Sequence, residues 1–563
     1  MSNLYGNPHS ASDPAKLSGK VVDETREKTL RFFGADPEHF DLVFVANATA
    51  AIKLVQEAFK DLGNTIAAAD GEEGGFRYFY HVDCHNSVVG VRESADPDHH
   101  CFRNDAEVEE WLSGSSDPNQ SSKLGLFAYP GQSNMTGRRL PLSWTGRLRA
   151  SNHPAHQDTY SLLDVAALAT TSPLNQIFSD PNAAPDFTSL SFYKIFGYPD
   201  LGALIVRKAS GNILRWGRKY FGGGTVSLVT VLGNKPWFEN KQVLHESLED
   251  GTLPFHNIIA LNAAIDTHER LYGPDPLTTI SKHCTFLGKY LYDEMSSLVH
   301  STTGVPVCKI YKGVESAYGD STTQGATIAF NIQLSNGEYV PYTSVVETLA
   351  NERKIFVRAG QLCNPGGIAS HLNFNIWHIK RLWSNGHRCG QAHLTGTEIM
   401  NGKPTGMVRV SLGAMTTLAN VDALITFLRE EFMVAPVAEL QSVQSSVNNV
   451  EGYATQTFAR ESLCLTPFQP SLAPSFRSTS TRPSTPLSQQ RWGSETTDVS
   501  TFDPTVEETI LPVRITQQKP TYIPTIEKNI EGVAIEGVAQ RKGLKDLWRY
   551  KGIKHLRSVK AVA

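Results

Sequence analysis

The sequence predicts an α/β fold, with a large, mostly parallel sheet covered by helices and a smaller α/β unit after it. Short runs rich in β-branched and aromatic residues recur between helical or loop stretches from residue 19 to residue 433. These runs are nearly continuously apolar, as strands buried on both faces must be. Several end in a polar residue beside small ones, at the edge where open α/β sheets bind ligands.

The elements follow in order. KVVDETREKTLRFFG places Val21, Val22, Thr29, Leu30 and Phe33 on one helical face and stops at Gly34. DLVFVAN is a short strand closing on Asn47, and ATAAIKLVQEAF then opens a helix. Further strands fall at FRYFYHV, LGLFAY, TYSLLDV, FTSLSF and GALIVRK. Helices from about Pro254 to Tyr272 and from about Leu277 to Ser297 lead into a second unit. That unit has strands at VPVCKIY, ATIAFNI, KIFVRA and MVRVSL and a closing helix from about Val421 to Phe432. The expected division is a large ligand-binding domain over 1–272 and a small α/β domain over 273–434.

Past residue 434 the composition changes. Ser, Thr and Pro make up 24 of the 50 residues from 461 to 510, too little apolar surface to offset chain entropy. A disordered tail is expected over 435–540. The final 541–563 segment, RKGLKDLWRYKGIKHLRSVK onward, reads as a basic amphipathic helix able to dock on a partner, or as a solvated, marginal one interrupted by Gly552.

Composition narrows the function. The chain has 563 residues, 52 Lys plus Arg against 56 Asp plus Glu and a net charge of −4, so its core is not built to coat nucleic acid or an anionic membrane. It has no run of 18 apolar residues, and MSNLYGNPHSASDPAK shows neither a basic nor an apolar leader region. Seven cysteines, irregularly spaced, make no disulfide framework. The expectation is a cytoplasmic enzyme.

Four features suggest its chemistry. Lys194 follows an apolar strand between Tyr193 and Phe196, where poor hydration would disfavour the ammonium and suit an imine-forming lysine; an edge lysine reaching water is the ordinary alternative. NATAAIKLV opens a helix after a strand, so Ala48, Thr49 and Ala50 offer N–H groups and a hydroxyl to a phosphate, although Asn and Thr also cap helices that bind nothing. Asp164 closes TYSLLDV beside Ala166 and Ala167, where a carboxylate can approach a flat ring. His85, in HVDCHNSVV, is suited to stack on that ring, or else to cap a helix. Phosphate cradle, stacking His, ring-nitrogen Asp and imine-forming Lys together describe a pyridoxal phosphate site, in which the Asp keeps the ring nitrogen protonated.

A metal reading of His81, Cys84 and His85, closed by His387 or Cys389, fits no common zinc spacing, and no metal is expected. Cys363 is by default a buried structural thiol, but Asn364-Pro365-Gly366 after it points to an exposed turn where a thiolate could reach a ligand.

Eleven stretches in order carry a family resemblance: YGNPHS (5–10), NATAAIKLV (47–55), DCHNSVVGVRE (83–93), FAYPGQSNMTG (127–137), SLLDVAAL (161–168), SFYKIFGYPDLGALIVRK (191–208), YFGGGTV (220–226), LEDGTLPF (248–255), VRAGQLCNPGG (357–367), GHRCG (386–390) and GKPTGMVRVSLGAMTT (402–417). Over residues 1 to about 433 the chain resembles the class V aminotransferase and cysteine desulfurase group of pyridoxal phosphate enzymes, and within it the N-terminal domain of the molybdenum cofactor sulfurases. The resemblance implies the fold type I architecture of pyridoxal-phosphate-dependent transferases. It also implies site roles: Lys194 carries the cofactor, Asp164 meets the ring nitrogen, His85 stacks and assists proton transfer, and Asn134 lies near the ring hydroxyl. Ala48, Thr49 and Ser191 fall at the phosphate, and Thr225 reaches a phosphate across a dimer interface, which implies a homodimer. Arg409 grips the substrate carboxylate, and Cys363 becomes the persulfide.

The implied reaction takes sulfur from L-cysteine, releases alanine and passes the sulfur to the oxo form of the molybdenum cofactor. The family's usual Tyr-Leu-Asp-His-Ala-Gly segment does not precede Gly6 here, its β-rich cofactor-binding region does not follow residue 433, and the Cys363 loop lacks the extra cysteines of many relatives. Two rival readings stand beside this one: another fold type I lyase or aminotransferase with Cys363 idle, and a non-catalytic relative acting as a binding protein.

Overall fold

The computed structural model describes residues 4–71, 74–115, 123–233 and 236–433. The expected tail and the basic terminal segment lie outside the described residues. Seven strands form the first sheet: β1 (Phe40–Val45), β2 (Arg77–His81), β3 (His99–Phe102), β4 (Gly125–Pro130), β5 (Thr159–Asp164), β6 (Phe187–Ser191) and β7 (Gly202–Arg207). Their order is β1-β7-β6-β5-β4-β2-β3. Neighbours from β3 to β6 run parallel, and β7 is antiparallel to both β6 and β1.

Two of these features were not foreseen from the sequence. The edge strand β3 reads HHCF, too short and too polar to signal a strand. The reversal at β7 follows from its connection, because the ten residues between Ser191 and Gly202 are too few for a parallel crossover.

Burial on both faces explains the unbroken apolar runs. Along β4, Leu126 and Ala128 enter one buried cluster while Phe127 and Tyr129 enter the other. Along β7, Leu204 and Val206 divide from Ala203 and Ile205 in the same way.

Helix α1 (Asp13–Phe32) covers one face. It starts earlier than its apolar stripe indicated, because Asp13 and Pro14 supply a helix-starting first turn, and it ends where Gly34 turns left-handed at φ 76°. A buried ion pair ties α1 to β1: Arg26 grips both oxygens of Glu249 at 2.6 and 3.0 Å, and the Phe44 amide donates to Glu249 at 2.7 Å. Glu249 belongs to the LEDGTLPF stretch, so that stretch closes the sheet's β1 edge. Helix α2 (Ala48–Asp70) covers the opposite face from β1 onward, its first turn capped by the Asn47 side chain, which accepts from the Ala50 amide at 3.0 Å.

The helices Phe255–Tyr272 and Pro276–Ser297 lead into a four-stranded antiparallel sheet. Its strands, in spatial order, are Cys308–Tyr311, Thr327–Ile332, Met407–Ser411 and Arg358–Gly360. The KIFVRA run yields only the last three-residue strand, since Lys354 is left-handed and Phe356 is 81% exposed. The helix Leu418–Phe432 packs with Leu291, Ile328, Phe330 and Val408 into this sheet's core. Among the described residues no helix is long and apolar enough to cross a membrane.

Candidate active site

The C-terminal ends of β1, β2, β4, β5 and β6 share one edge of the large sheet, and most of the expected site residues gather there. Val45 and Ser191 both pair with Gly202, so the start of α2 sits over the end of β6. Only glycine allows this, because a Cβ on Gly202 would lie 2.5 Å from the Asn47 Cα and 2.7 Å from the Leu190 carbonyl oxygen. The Ala48 amide donates to the Ser191 hydroxyl at 2.9 Å. The Thr49 hydroxyl meets that of Ser87 at 2.7 Å. A 23-residue helix thus presents its positive end beside three hydroxyls, which suits an anion.

Ser87 is a residue that sequence reasoning missed. It joins the cradle to His85, whose Nδ1 accepts from the Ser87 amide at 3.1 Å. Because an amide can only donate, the neutral imidazole carries its proton on Nε2. Burial pulls the His85 pKa below its ordinary 6.5; Lys194 and Arg358 push the same way and Asp164 opposes them. His85, Asp164 and Lys194 therefore share one electrostatic neighbourhood.

Asp164 is 7% exposed at the end of β5. Its Oδ1 accepts from the Ala166 amide at 2.9 Å and from Ser189 at 3.5 Å, and its Oδ2 has no hydrogen bond among the described residues. Lys194 lies in the short helix Tyr193–Phe196 after β6 and is exposed, with no ion-pair partner among the described residues. The expected desolvation of Lys194 is therefore corrected: its neighbour Tyr193 is 38% exposed, and the aromatic flanks do not close over the amine.

Cys363 arrives from the smaller sheet. Leu362 and Cys363 are both left-handed, at φ 55° and 54°, a costly conformation for side-chain-bearing residues that has to be held by its surroundings. Three bonds hold it: Asn134 Nδ2 to the Leu362 carbonyl (2.8 Å), the Asn86 amide to the Cys363 carbonyl (3.0 Å) and Asn364 Nδ2 to the Asp83 carbonyl (3.1 Å). A Cβ on Gly366 would collide with the Val82 carbonyl, so the helix Pro365–Leu372 packs directly on the loop after β2.

The Asn-Pro-Gly expectation is corrected accordingly. Asn364 is fully buried and caps that helix by accepting from the Gly367 amide at 2.8 Å, so the segment is a helix start rather than an open turn. The thiol itself is half-buried, not a core residue. The Asn134 amide group clasps the Cys363 loop, with Oδ1 accepting from Asn364 at 3.1 Å.

Arg409, on the strand Met407–Ser411, donates from Nη1 to the Asn134 carbonyl at 2.7 Å, and its Nε is buried without a partner among the described residues. Burial, then the charge of Arg358, lower its pKa to about 10. Thr225 is not brought to this site within the chain; it is fully buried and donates to the Gly222 carbonyl of its own turn at 2.7 Å. Cys84 is fully buried, and burial raises its pKa well above the ordinary thiol value, which leaves it inert. A cavity of about 1040 Å³ lined by Arg139, Leu142, Ser172, Lys282 and Glu315 contains none of the expected site residues.

The aminotransferase class-V family profile matches residues 119–424, or 306 of the 563 residues. A molybdenum cofactor sulfurase of Aspergillus niger is 53% identical over 435 residues, covering 77% of this chain and 50% of that protein. One from Botryotinia fuckeliana is 51% identical over 457 residues, covering 80% and 53%. The chain spans about half the length of these curated relatives. A cysteine desulfurase from Thermococcus onnurineus, solved without ligand, superposes with a TM-score of 0.52 at 17% identity over 75% of this chain and 86% of that one. The cysteine desulfurase CsdA of Escherichia coli, an S-sulfonic acid form, gives 0.52 at 19% identity over 76% and 88%. These two establish likeness of fold.

Proposed function

The chain belongs to the class V aminotransferase family, and from that premise we propose that it is a pyridoxal-phosphate-dependent sulfurtransferase that takes sulfur from L-cysteine onto Cys363. One observation carries the reading: the Asn86 amide holds the Cys363 carbonyl at 3.0 Å, which sets the thiol loop against the residue after His85. An aminotransferase has no use for a thiol fastened there.

The residues present fit the cofactor. The N-terminus of α2 with Thr49, Ser87 and Ser191 suits its phosphate, the uncommitted Asp164 Oδ2 suits a protonated ring nitrogen, and the exposed Lys194 amine is free to bond its aldehyde carbon. Pyridoxal phosphate, when bound, supplies an electron-poor ring that makes the amino acid's Cα proton acidic. Arg409 holds the substrate carboxylate with its unused donors. The Lys194 amine takes the Cα proton, and His85 carries a proton on Nε2 at the same site. Cys363 Sγ, as thiolate, bonds to the substrate sulfur while the substrate's C–S bond breaks; alanine leaves after protonation and the enzyme keeps a persulfide.

The resemblance to the sulfurases supports the molybdenum cofactor as sulfur acceptor. A homodimer is supported by an exposed apolar hairpin beside Thr225, where Leu228 is 66%, Val231 86% and Leu232 91% exposed. The experiment is to mix the purified protein with L-cysteine and follow alanine and protein-bound persulfide. Equal yields of both are expected; alanine without persulfide, or keto acid instead of alanine, would overturn the reading.

A further inference from the structure

One cation faces the Cys363 sulfur. Arg358 Nη2 donates to Sγ at 3.2 Å, and among the described residues Arg358 has no carboxylate within ion-pair distance. Four residues separate the two, and the left-handed turn at Leu362 and Cys363 brings the chain back so that sulfur and guanidinium meet. The strand register adds a second charge, because Arg358 pairs directly with Arg409.

Two arginines side by side repel unless an anion lies between them or near them. Arg409 cannot relieve the repulsion by turning away, since its Nη1 is fixed to the Asn134 carbonyl. Burial is the main cause of its lowered pKa; the Arg358 charge adds to it and Cys363 opposes it. The group in contact that can become an anion is the thiol. A guanidinium stays charged at any working pH and presents several donors, so it can hold both a thiolate and the longer persulfide anion.

We propose that Arg358 is a positioning residue that holds Cys363 as its thiolate and then retains the terminal sulfur of the persulfide; the second half rests on the sulfurtransferase reading above. The first half does not, and its test needs neither cofactor nor substrate. Alkylation of Cys363 by iodoacetamide, followed by mass spectrometry across pH 5 to 10, reads the thiolate fraction. Arg358→Gln should slow alkylation of Cys363 at pH 7 about tenfold. Arg358→Lys, which keeps the charge without the planar fork, should restore most of the rate. The exposed Cys389 serves as internal standard in every sample, and its profile should not move. A wild-type profile for Cys363 in Arg358→Gln would overturn the proposal. So would an unmoved profile with a raised KM for cysteine, which would give Arg358 to the substrate carboxylate instead. If the wild-type protein shows the thiolate profile but makes no persulfide from cysteine, the sulfurtransferase reading fails and the Arg358–Cys363 pairing stands.

Discussion

Asn134 donates its side-chain amide to the carbonyl of Leu362 at 2.8 Å, across 228 residues of sequence. The bond joins the loop after β4 in the large sheet to the cysteine loop of the small one. Asn364 returns a second bond to the same side chain at 3.1 Å, and Arg409 takes the Asn134 backbone carbonyl. One residue therefore ties the thiol loop to Arg409.

Asn134→Leu should keep the backbone contact with Arg409 but lose the clasp. Burying the Leu362 carbonyl without its Asn134 partner, while Asn364 keeps its bond to the Asp83 carbonyl, costs about 1–3 kcal/mol. The left-handed turn should loosen, so persulfide formation should fall about tenfold or more while cofactor binding holds. Thermal melting and persulfide per enzyme check this, and unchanged persulfide yield would show the clasp to be dispensable.

Borohydride should fix the cofactor irreversibly on Lys194, and peptide mapping should find it on no other lysine. Asp164→Ala should weaken cofactor binding and slow Cα proton loss, measured as solvent exchange of the Cα proton of an amino acid. An unchanged exchange rate would mean that the ring nitrogen has another partner.

Glu249 is a structural counterpart. Both members of the Arg26–Glu249 pair have side chains only 5–6% exposed, and Glu249 also takes the Phe44 amide. Glu249→Ala leaves a buried guanidinium unpaired, which costs about 3–5 kcal/mol. Urea unfolding reads the loss, and a loss below about 1 kcal/mol would show that water replaces the carboxylate.

Much of this architecture was legible because burial writes itself into the strands. β1, β2 and β4 to β7 have interiors packed on both faces, and their runs gave them away. β3 was not legible, since His99 and His100 at an edge look like loop. Asp164 and His85 were read from position at strand ends and Lys194 from order along the chain, and the structure gathers all three at one sheet edge. The exposure of Lys194 could not be read in this way, because side-chain hydration depends on what other segments leave uncovered. Ser87, Asn364 and Arg358 escaped for a related reason: each acts through a partner that only the fold brings near. Arg358 carried one faint signal, its place five residues before the cysteine.

His85 gives a pH dependence with a definite sign. Its folded pKa lies below the ordinary 6.5 mainly through burial, so the unfolded chain binds the proton more readily. Above about pH 6.5 both states are neutral at this residue and it adds no pH dependence. As pH falls below that value the unfolded state gains protons first, and stability falls until the folded group titrates. His85→Gln should flatten this loss between pH 6.5 and 5, read as the difference in melting temperature between variant and wild type. A wild-type slope retained in the variant would assign the loss to other groups.

Among the described thiols, the proposed sulfur-carrying step is assigned to Cys363, the thiol fastened into the site. Burial pushes Cys101 and Cys284 up to about 11 and Cys308 up to about 12, and Cys84 is fully enclosed, so none of them supplies a thiolate near neutrality. Cys363→Ser keeps the loop's shape, because the bonds that hold it come from the Asn134, Asn86 and Asn364 side chains and backbone. The variant should therefore bind pyridoxal phosphate and L-cysteine as the wild type does, seen in the cofactor's absorbance. Sulfur release should nevertheless collapse by about a hundredfold or more, since a hydroxyl is a weak nucleophile at pH 7 and cannot carry a second sulfur. Alanine per enzyme and intact-protein mass for an added sulfur atom measure it. An added sulfur on Cys389 in the wild type would move the carrier role to that exposed thiol. Alanine at the wild-type rate without Cys363 would end the sulfurtransferase assignment, because the carbon–sulfur bond would then break with no thiolate to receive the sulfur.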